Sequence, residues 1–367
     1  MVIKGYDDIN FFIHCFLGAL RYQFKPGEVA LYRLNSIRDL HSLPFTISAH
    51  TLHRLRPYFN SPAGYAILSS RSAFHRWCEE NRIIHPKTFG IISKNSSADE
   101  MAEETDKVIR NILEEKPSGV VIKRSKVSHG DGCLFVTELE YTDQEIFGHE
   151  ESGNRVSLHK LLYKTAAESG GDITVEQHLL QNKVLRQMHS NSLNTIRVVT
   201  FLNHSDDVEI DMAVLRVGNN DSYVDSWQRG GLGSAVHLKT GELGPGLVMR
   251  GARGGRWFRT HPHTGARIEG IRVPEWKRVR ELVKEAAVNF PEARWVGWDV
   301  AVTDNGPVLI EGNYYWALPF MLAHTGGRCP ASWKSRLSDP GLPVPRGYIS
   351  GVRYFFSMML HKTLKKY

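Results

Sequence analysis

The sequence predicts an α+β protein built as two or three subdomains, and three observations predict it. The chain has 367 residues, more than one typical core holds, since domains usually run to roughly 100–150 residues. An apolar strand, a polar glycine-containing loop and a second strand follow one another between residues 119 and 139. Downstream come two arginine-bearing strands, 196–202 and 208–217, and a polar-faced hairpin at 295–313, with amphipathic helices between them.

Hydrophobic residues at 41% and charged residues at 23% are ordinary for a globular chain and exclude a disordered or fibrous one. The net charge of +7 favours anionic partners (nucleotides, phosphorylated metabolites, nucleic acid or a membrane surface) or is simply a Lys/Arg-biased surface. Cys15, Cys78, Cys133 and Cys329 form no CxxC pair. A disulfide framework or zinc knuckle is therefore not expected, and a reducing, cytoplasmic setting fits. Cys133 lies in an apolar run and reads as core.

Residues 9–20 are apolar, but Asp7 and Asp8 precede them and no small-residue cleavage site follows. The run is also shorter than the roughly 20 residues that span a bilayer, so it reads as a core helix. A basic, His-rich stretch covers 33–56, and Pro57, Pro62 and Gly64 read as chain breaks. Phe74, Trp77 and Cys78 at i, i+3, i+4 spacing predict a helix over 72–81. Met101, Val108, Ile109 and Ile112 predict another over 98–115, followed by a turn at Pro117-Ser118-Gly119. Strands are expected at 119–123 and 133–139, a helix at 157–168, and a strand running into a connector at 172–180. Residues 218–272, rich in Gly, Arg and His, read as loops with short strands, the kind of segment that carries substrate contacts. Pro274 is expected to open a helix that runs to about Asn289, with Val279, Leu282, Val283, Ala286 and Ala287 buried. The aromatic segment 349–367 reads as a helix that docks on the core, meets a partner or touches an anionic membrane, with core docking favoured.

The hairpin carries the chemistry. Asp304-Asn305-Gly306 separates two alternating strands, 296–303 and 307–313. A three-residue loop pairs Thr303 with Pro307 and sets Asp299 opposite Glu311, with Asn313 on the same face. Val300, Val302, Val308 and Ile310 then line the apolar face. A two-residue loop shifts the register and scatters the acids. Two carboxylates and an amide oxygen are hard donors suited to Mg²⁺ beside phosphate oxygens. The alternative is a solvent-facing strand with polar residues alternating outward.

Lys123 ends the first strand of the loop unit and can reach phosphates as a point charge, while a loop containing Ser125, Ser128, Gly130 and Gly132 can fold over them and donate backbone N–H groups. An ordinary hairpin loop with a surface lysine is the other reading. Arg197 and Arg216 stand within apolar strands and need partners there: a phosphate, a substrate carboxylate or a structural salt bridge. His261 and His263 have no third metal ligand at short spacing. The GxxxxGK[ST], GxGxxG, HRD, DFG and GxSxG patterns that mark other nucleotide-using or hydrolytic enzymes do not occur.

In this order the pieces resemble the ATP-grasp superfamily: helix, strand–loop–strand with Lys123, connector with Glu176, arginine strands and a D…E-x-N hairpin. More narrowly, SLNTIRVVT, AVLRVGNNDSYVDSWQRGG, HPHTG and VGWDVAVTDNGPVLIEGN resemble the ATP-grasp family associated with sugar transfer and cell-surface polysaccharide clusters. A more distant similarity is to glutamate ligases that modify protein C-termini. The likeness covers about residues 70–330.

The resemblance implies an ATP-grasp fold, two α+β lobes holding ATP between them, with an N-terminal helical or mixed extension. The expected boundaries are 1–85 for the extension, 86–178 for the smaller lobe, 179–330 for the larger and 331–367 for a tail and helix. It implies that Lys123, Ser128, Gly130 and Gly132 bind phosphates and that Glu176, Gln177 and Leu179 line the adenine and ribose pocket. Arg197 and Arg216 would act on the transferring group. Asp299, Glu311 and Asn313 would hold one or two Mg²⁺, with Mn²⁺ as a substitute. The implied reaction joins a small-molecule carboxylic acid to an amine through an acyl phosphate, in polysaccharide or specialised metabolite synthesis; a phosphotransferase acting on a hydroxyl is the alternative. No specific nucleic-acid partner is implied. Three positions depart from the pattern: Gly297 stands where many relatives have arginine, Asp225-Ser226 replaces Asp-Asn, and Tyr314-Tyr315-Trp316-Ala317-Leu318-Pro319 replaces a small-residue turn.

Overall fold

A computed structural model describes residues 6–34, 43, 45–124, 132–142, 145–249 and 254–344. The expected helix at 349–367 and the loop residues Ser125, Ser128 and Gly130 lie outside the described residues.

The chain opens with helices α1 (Tyr6–Tyr22), α2 (Pro26–Leu31), α3 (Ala49–Phe59), α4 (Pro62–Ser69) and α5 (Arg71–Glu80). The apolar run falls inside α1, where Cys15 and Ala19 are buried. The prolines read as breaks do not break these helices. Pro57 sits in the last turn of α3, which Ser48 caps by accepting from Thr51 N and which Leu52 and Leu55 anchor in the core. Pro62 is the first residue of α4, where its missing N–H costs nothing. Gly64 is needed for closeness: a Cβ there would lie 2.7 Å from the carbonyl oxygen of Glu292.

The smaller sheet follows. Its strands are β1 (Thr88–Ile92), β2 (Gly119–Arg124), β3 (Cys133–Tyr141), β4 (Ile146–Glu150), β5 (Arg155–Ser157) and β6 (Ile173–Gln177), in the antiparallel order β1-β6-β2-β3-β4-β5. Helices α6 (Ala98–Glu115) and α7 (Leu158–Glu168) cover one face. Met101, Val108 and Ile112 of α6 and Leu158 and Leu162 of α7 share a core with Val120, Ile122, Val136, Ile173 and Val175. The capping box of Ser97 and Glu100 fixes where α6 begins. Strands β4 and β5 were not expected from the sequence; they are short, and β5 holds only three residues.

A short α8 (Lys183–Arg186) leads to the larger sheet, made of β7 (Thr195–Leu202), β8 (Val208–Val217), β9 (Leu232–Val236), β10 (Leu243–Met249), β11 (Gly255–Phe258), β12 (Trp295–Thr303) and β13 (Gly306–Asn313). Its order is β11-β10-β9-β8-β7-β12-β13. One face packs on α9 (Trp276–Val288) and α5, through Val279, Leu282, Val283, Phe74 and Trp77. The other packs on the N-terminal helices and on α10 (Leu318–Ala323) and α11 (Ser332–Arg336), around Trp295, Trp316 and Trp333. Cover on both faces explains why β7 and β12 are buried along their whole length rather than alternately. The apolar stripe of α9 is as expected, but the helix begins at Trp276. Glu275 precedes it in the left-handed region at φ 54°, so Pro274 is outside the helix. Among the described residues no helix is long and apolar enough to cross a membrane.

Candidate nucleotide and metal cleft

The hairpin reaches the expected pairing by a different route. Thr303 pairs with Gly306 and Val302 with Pro307, so the loop is the two residues Asp304-Asn305. The register then shifts between Val300↔Leu309 and Asp299↔Glu311, because Ile310 is an extra residue in β13. This β-bulge cancels the shift that the shorter loop introduces and restores Asp299 opposite Glu311. It also corrects the expected apolar face. Leu309 joins Val300 and Val302 in the core, whereas Ile310 and Glu311 both face the cleft between the sheets.

That cleft has a volume of about 410 Å³. Lys123, Gly132, Glu176, Gln177, Leu179, Arg197, Arg216, Asp299, Glu311 and Asn313 all line it, so the described residues expected to meet nucleotide, phosphoryl group and metal converge there, while His261 and His263 do not. Asp299 lies directly across from Arg197 on neighbouring strands. Arg197 grips both carboxylate oxygens, with Nε and Nη2 each 2.7 Å away. Arg216 stands two residues beyond Val214, the partner of Arg197, and so shares its face. Its Nη1 donates to Asp299 at 2.5 Å and its Nη2 to Asp225 at 2.7 Å. Burial pushes the Asp299 carboxyl up, but the two arginines outweigh burial and hold it below the usual range. Glu311 is more open: its side chain is 41% exposed, 3.9 Å from Arg197 and 3.3 Å from Asn313 Nδ2.

On the opposite wall, Lys123 Nζ donates to Oε2 of Glu176 on the neighbouring strand. Glu176 is 1% exposed, and burial of its carboxyl is outweighed by Lys123 and Arg71, which keep its pKa low. Its other oxygen has no hydrogen-bond partner and lies 3.4 Å from Nε2 of His75, whose Nδ1 faces Thr88. Burial lowers the His75 pKa to about 4, with Glu176 opposing. Unfolded His75 protonates near 6.5, so from pH 6.5 down to about 4 the unfolded state binds more protons and stability falls with pH. The slope is at most about 1.4 kcal/mol per pH unit. Denaturant titrations from pH 7 to 4.5 should show a shallower slope for His75→Asn. His324, also lowered to about 4 by burial, keeps its own contribution.

Residues 50–330 match the family model described as sugar-transfer associated ATP-grasp. The chain belongs to that family. The match starts ahead of residue 70, where the sequence resemblance began, and so takes in most of α3. No curated protein matches the chain. Among solved structures, D-alanyl-alanine synthetase A from Vibrio cholerae shares 11% identity, with 74% of this chain and 64% of that one covered and a TM-score of 0.42. The D-alanine-D-alanine ligase from Coxiella burnetii shares 10%, with 84% and 64% covered and a TM-score of 0.40. The ATP-grasp ligase PsnB, solved with precursor peptide PsnA2 and AMPPNP, shares 12%, with 72% and 55% covered and a TM-score of 0.37. The chain spans less than two thirds of the length of each.

The ATP-grasp cleft holds residues that the sequence reading did not select. Arg71, the first residue of α5, lines it beside Lys123. Among the described residues Arg71 makes no hydrogen bond or close ion pair, and its Nε is buried without a partner. A cation at a helix N-terminus opposes the helix dipole, and that was the legible signal. Asp225 is buried and accepts from Thr195 N at 2.9 Å as well as from Arg216, so the Asp-Ser departure leaves an intact arginine anchor. Cys133 is not core: it is partly exposed and lines the ATP-grasp cleft across from Lys123. His261 is structural, its Nε2 lying 2.8 Å from the Gly218 carbonyl oxygen.

The donor set fits a divalent cation that arrives with phosphates. Among the described residues no three His, Cys, Asp or Glu side chains gather as a self-sufficient metal site. Glu311 and Asn313 present oxygens to the cleft, while Asp299 has both oxygens engaged by arginines, Oδ1 by one hydrogen bond and Oδ2 by two. Buried atoms without partners, Nε of Arg71, Arg124 and Arg216 and Oε1 of Glu176, mark the same cleft as suited to a polar, multiply charged ligand.

Proposed function

We propose that this chain is a Mg-ATP-dependent carboxylate–amine ligase. The observation that supports the reading is one cleft with Lys123, Arg71 and Arg124 on the small-sheet side and the Asp299–Glu311–Asn313 set with Arg197 and Arg216 on the other. The first group suits the triphosphate. Gln177 and Leu179 border the nucleoside. Mg²⁺, held by Glu311, Asn313 and Asp299, would neutralise charge on the phosphates. Arg197 and Arg216 orient the γ-phosphoryl group and offset the negative charge that builds as it passes to a substrate carboxylate. An amine then displaces phosphate from the acyl phosphate, giving an amide, ADP and inorganic phosphate. The four unpaired cysteines fit a reducing compartment, and we place the enzyme in the cytoplasm.

The test is incubation with ATP, Mg²⁺, hydroxylamine and a panel of carboxylic acids. Hydroxamate together with ADP is expected. A stable phosphorylated product without hydroxamate would mean a phosphotransferase, and no ADP with any acid would mean a nucleotide binder.

A further inference from the structure

The turn after Asn313 is built from two buried aromatic side chains flanking an open one. Tyr314 and Trp316 are buried, and Tyr314 Oη donates to the Asn60 carbonyl oxygen at 3.1 Å. Tyr315, between them, is 51% exposed and lines the cleft next to Asn313. Helix α3 supplies its neighbours. The His53 ring stacks on Tyr315 with centroids 5.5 Å apart, and the Arg56 guanidinium lies 4.8 Å from the Tyr315 ring centre. From α4, Tyr65 meets Tyr315 edge-on at 5.7 Å and is itself 45% exposed.

Arg56 is the unusual member. It is 6% exposed, donates from Nη2 to the Trp316 carbonyl oxygen at 3.0 Å and keeps Nε buried without a partner. Among the described residues it has no carboxylate within ion-pair distance. Arg197, comparably buried, has Asp299 bidentately. Burial accordingly lowers the Arg56 pKa to about 10, with Tyr315 and Tyr314 opposing. Aromatic faces moderate a guanidinium's desolvation but do not neutralise it. A buried cation without a counterion is stabilised by an anion that arrives, and a carboxylate can meet a guanidinium with two oxygens.

We propose that Arg56, Tyr315 and His53 form the subsite for the carboxylate-bearing substrate, and that this substrate carries a flat ring. The inference rests on the ligase reading for the word substrate, but the subsite itself can be probed without turnover. Tyr315 lines the cleft and links it to helix α3, which lies within the first 65 residues, where substrate contacts were expected without a motif to place them.

The probe is benzoate, compared with acetate, titrated by calorimetry into protein saturated with Mg²⁺ and AMPPNP. Wild type should bind benzoate more tightly than acetate. Arg56→Gln should weaken both by about tenfold or more, and Tyr315→Ala should abolish the preference for benzoate. Circular dichroism checks that Arg56→Gln folds. If it does not, Tyr315→Ala and His53→Ala, both at exposed rings, carry the test and must both lose the preference. Benzoate that binds wild type and Arg56→Gln equally, or does not bind wild type at all, overturns the proposal. A protein that binds benzoate through Arg56 yet yields no hydroxamate with any acid retains the subsite and loses the ligase reading. Hydroxamate formation with a Michaelis constant for the acid unchanged by Arg56→Gln does the reverse.

Discussion

Asp299→Asn should lose both turnover and stability, whereas Glu311→Gln should lose turnover alone. Asp299 is 2% exposed and accepts three guanidinium hydrogen bonds, two from Arg197 and one from Arg216. An amide there keeps the shape but removes the charge that balances two enclosed cations. Breaking a buried ion pair from one side typically costs about 3–5 kcal/mol. Arg216 keeps Asp225 as a second partner, so about 3 kcal/mol is expected. Glu311 is half open to solvent and holds no short ion pair, so Glu311→Gln should stay within about 0.5 kcal/mol of wild type. Both variants should lower ADP release on the order of a thousandfold, since each removes a carboxylate that would hold the Mg²⁺ set against the transferring phosphoryl group. Denaturant melts and an ADP-release assay on the two proteins read the two effects separately. Turnover that survives Asp299→Asn would make Asp299 an anchor for the arginines and not a metal ligand.

Lys123→Met should weaken ATP binding by more than tenfold and reverse one component of the pH dependence of stability. In the wild type the folded Glu176 pKa is depressed, because Lys123 and Arg71 outweigh burial. Such a group contributes stability above the unfolded glutamate value of about 4.3, and that stability is lost as pH falls through the lower folded pKa. Without Lys123, burial should dominate and the folded pKa should rise above the unfolded one. The carboxyl is then favoured in its protonated form, and its contribution is present in acid and lost as pH rises through the new pKa. At pH 7 the variant should be about 3 kcal/mol less stable than wild type, with the gap closing toward pH 5. The double variant Lys123→Met/Glu176→Gln should recover most of the stability, since no charge is left unpaired, and none of the ATP affinity. Unfolding free energies at pH 5, 6 and 7 decide this. A gap that stays constant from pH 7 to pH 5 would show that Arg71 and His75 suffice to keep Glu176 ionised.

Much of this protein was legible in its sequence, and the physical reasons are specific. The amphipathic period of 98–115 and the apolar stripe of α9 are set by local spacing, so they survived folding unchanged. The chain order of Lys123, Glu176, Arg197, Arg216, Asp299, Glu311 and Asn313 carried the family assignment, because each stands at a fixed place on a strand whose neighbours are apolar. What the sequence misjudged lies where contacts between distant segments outweigh local preference. Pro57 stays helical because Leu52 and Leu55 are held by the core. Cys133 faces the cleft although its strand is apolar. The aligned acids of the hairpin depend on a bulge at Ile310 that no turn rule announces. The partners of the charged side chains were also decided only by the tertiary structure: Arg197 with Asp299 across 102 positions, Lys123 with Glu176 across 53, and Arg56 with a carbonyl oxygen and an aromatic ring but, among the described residues, no carboxylate. A sequence specifies which groups are charged and what period they follow. Whether a charge meets a counterion, and what must come from outside to balance it, depends on which segments the two sheets bring within reach.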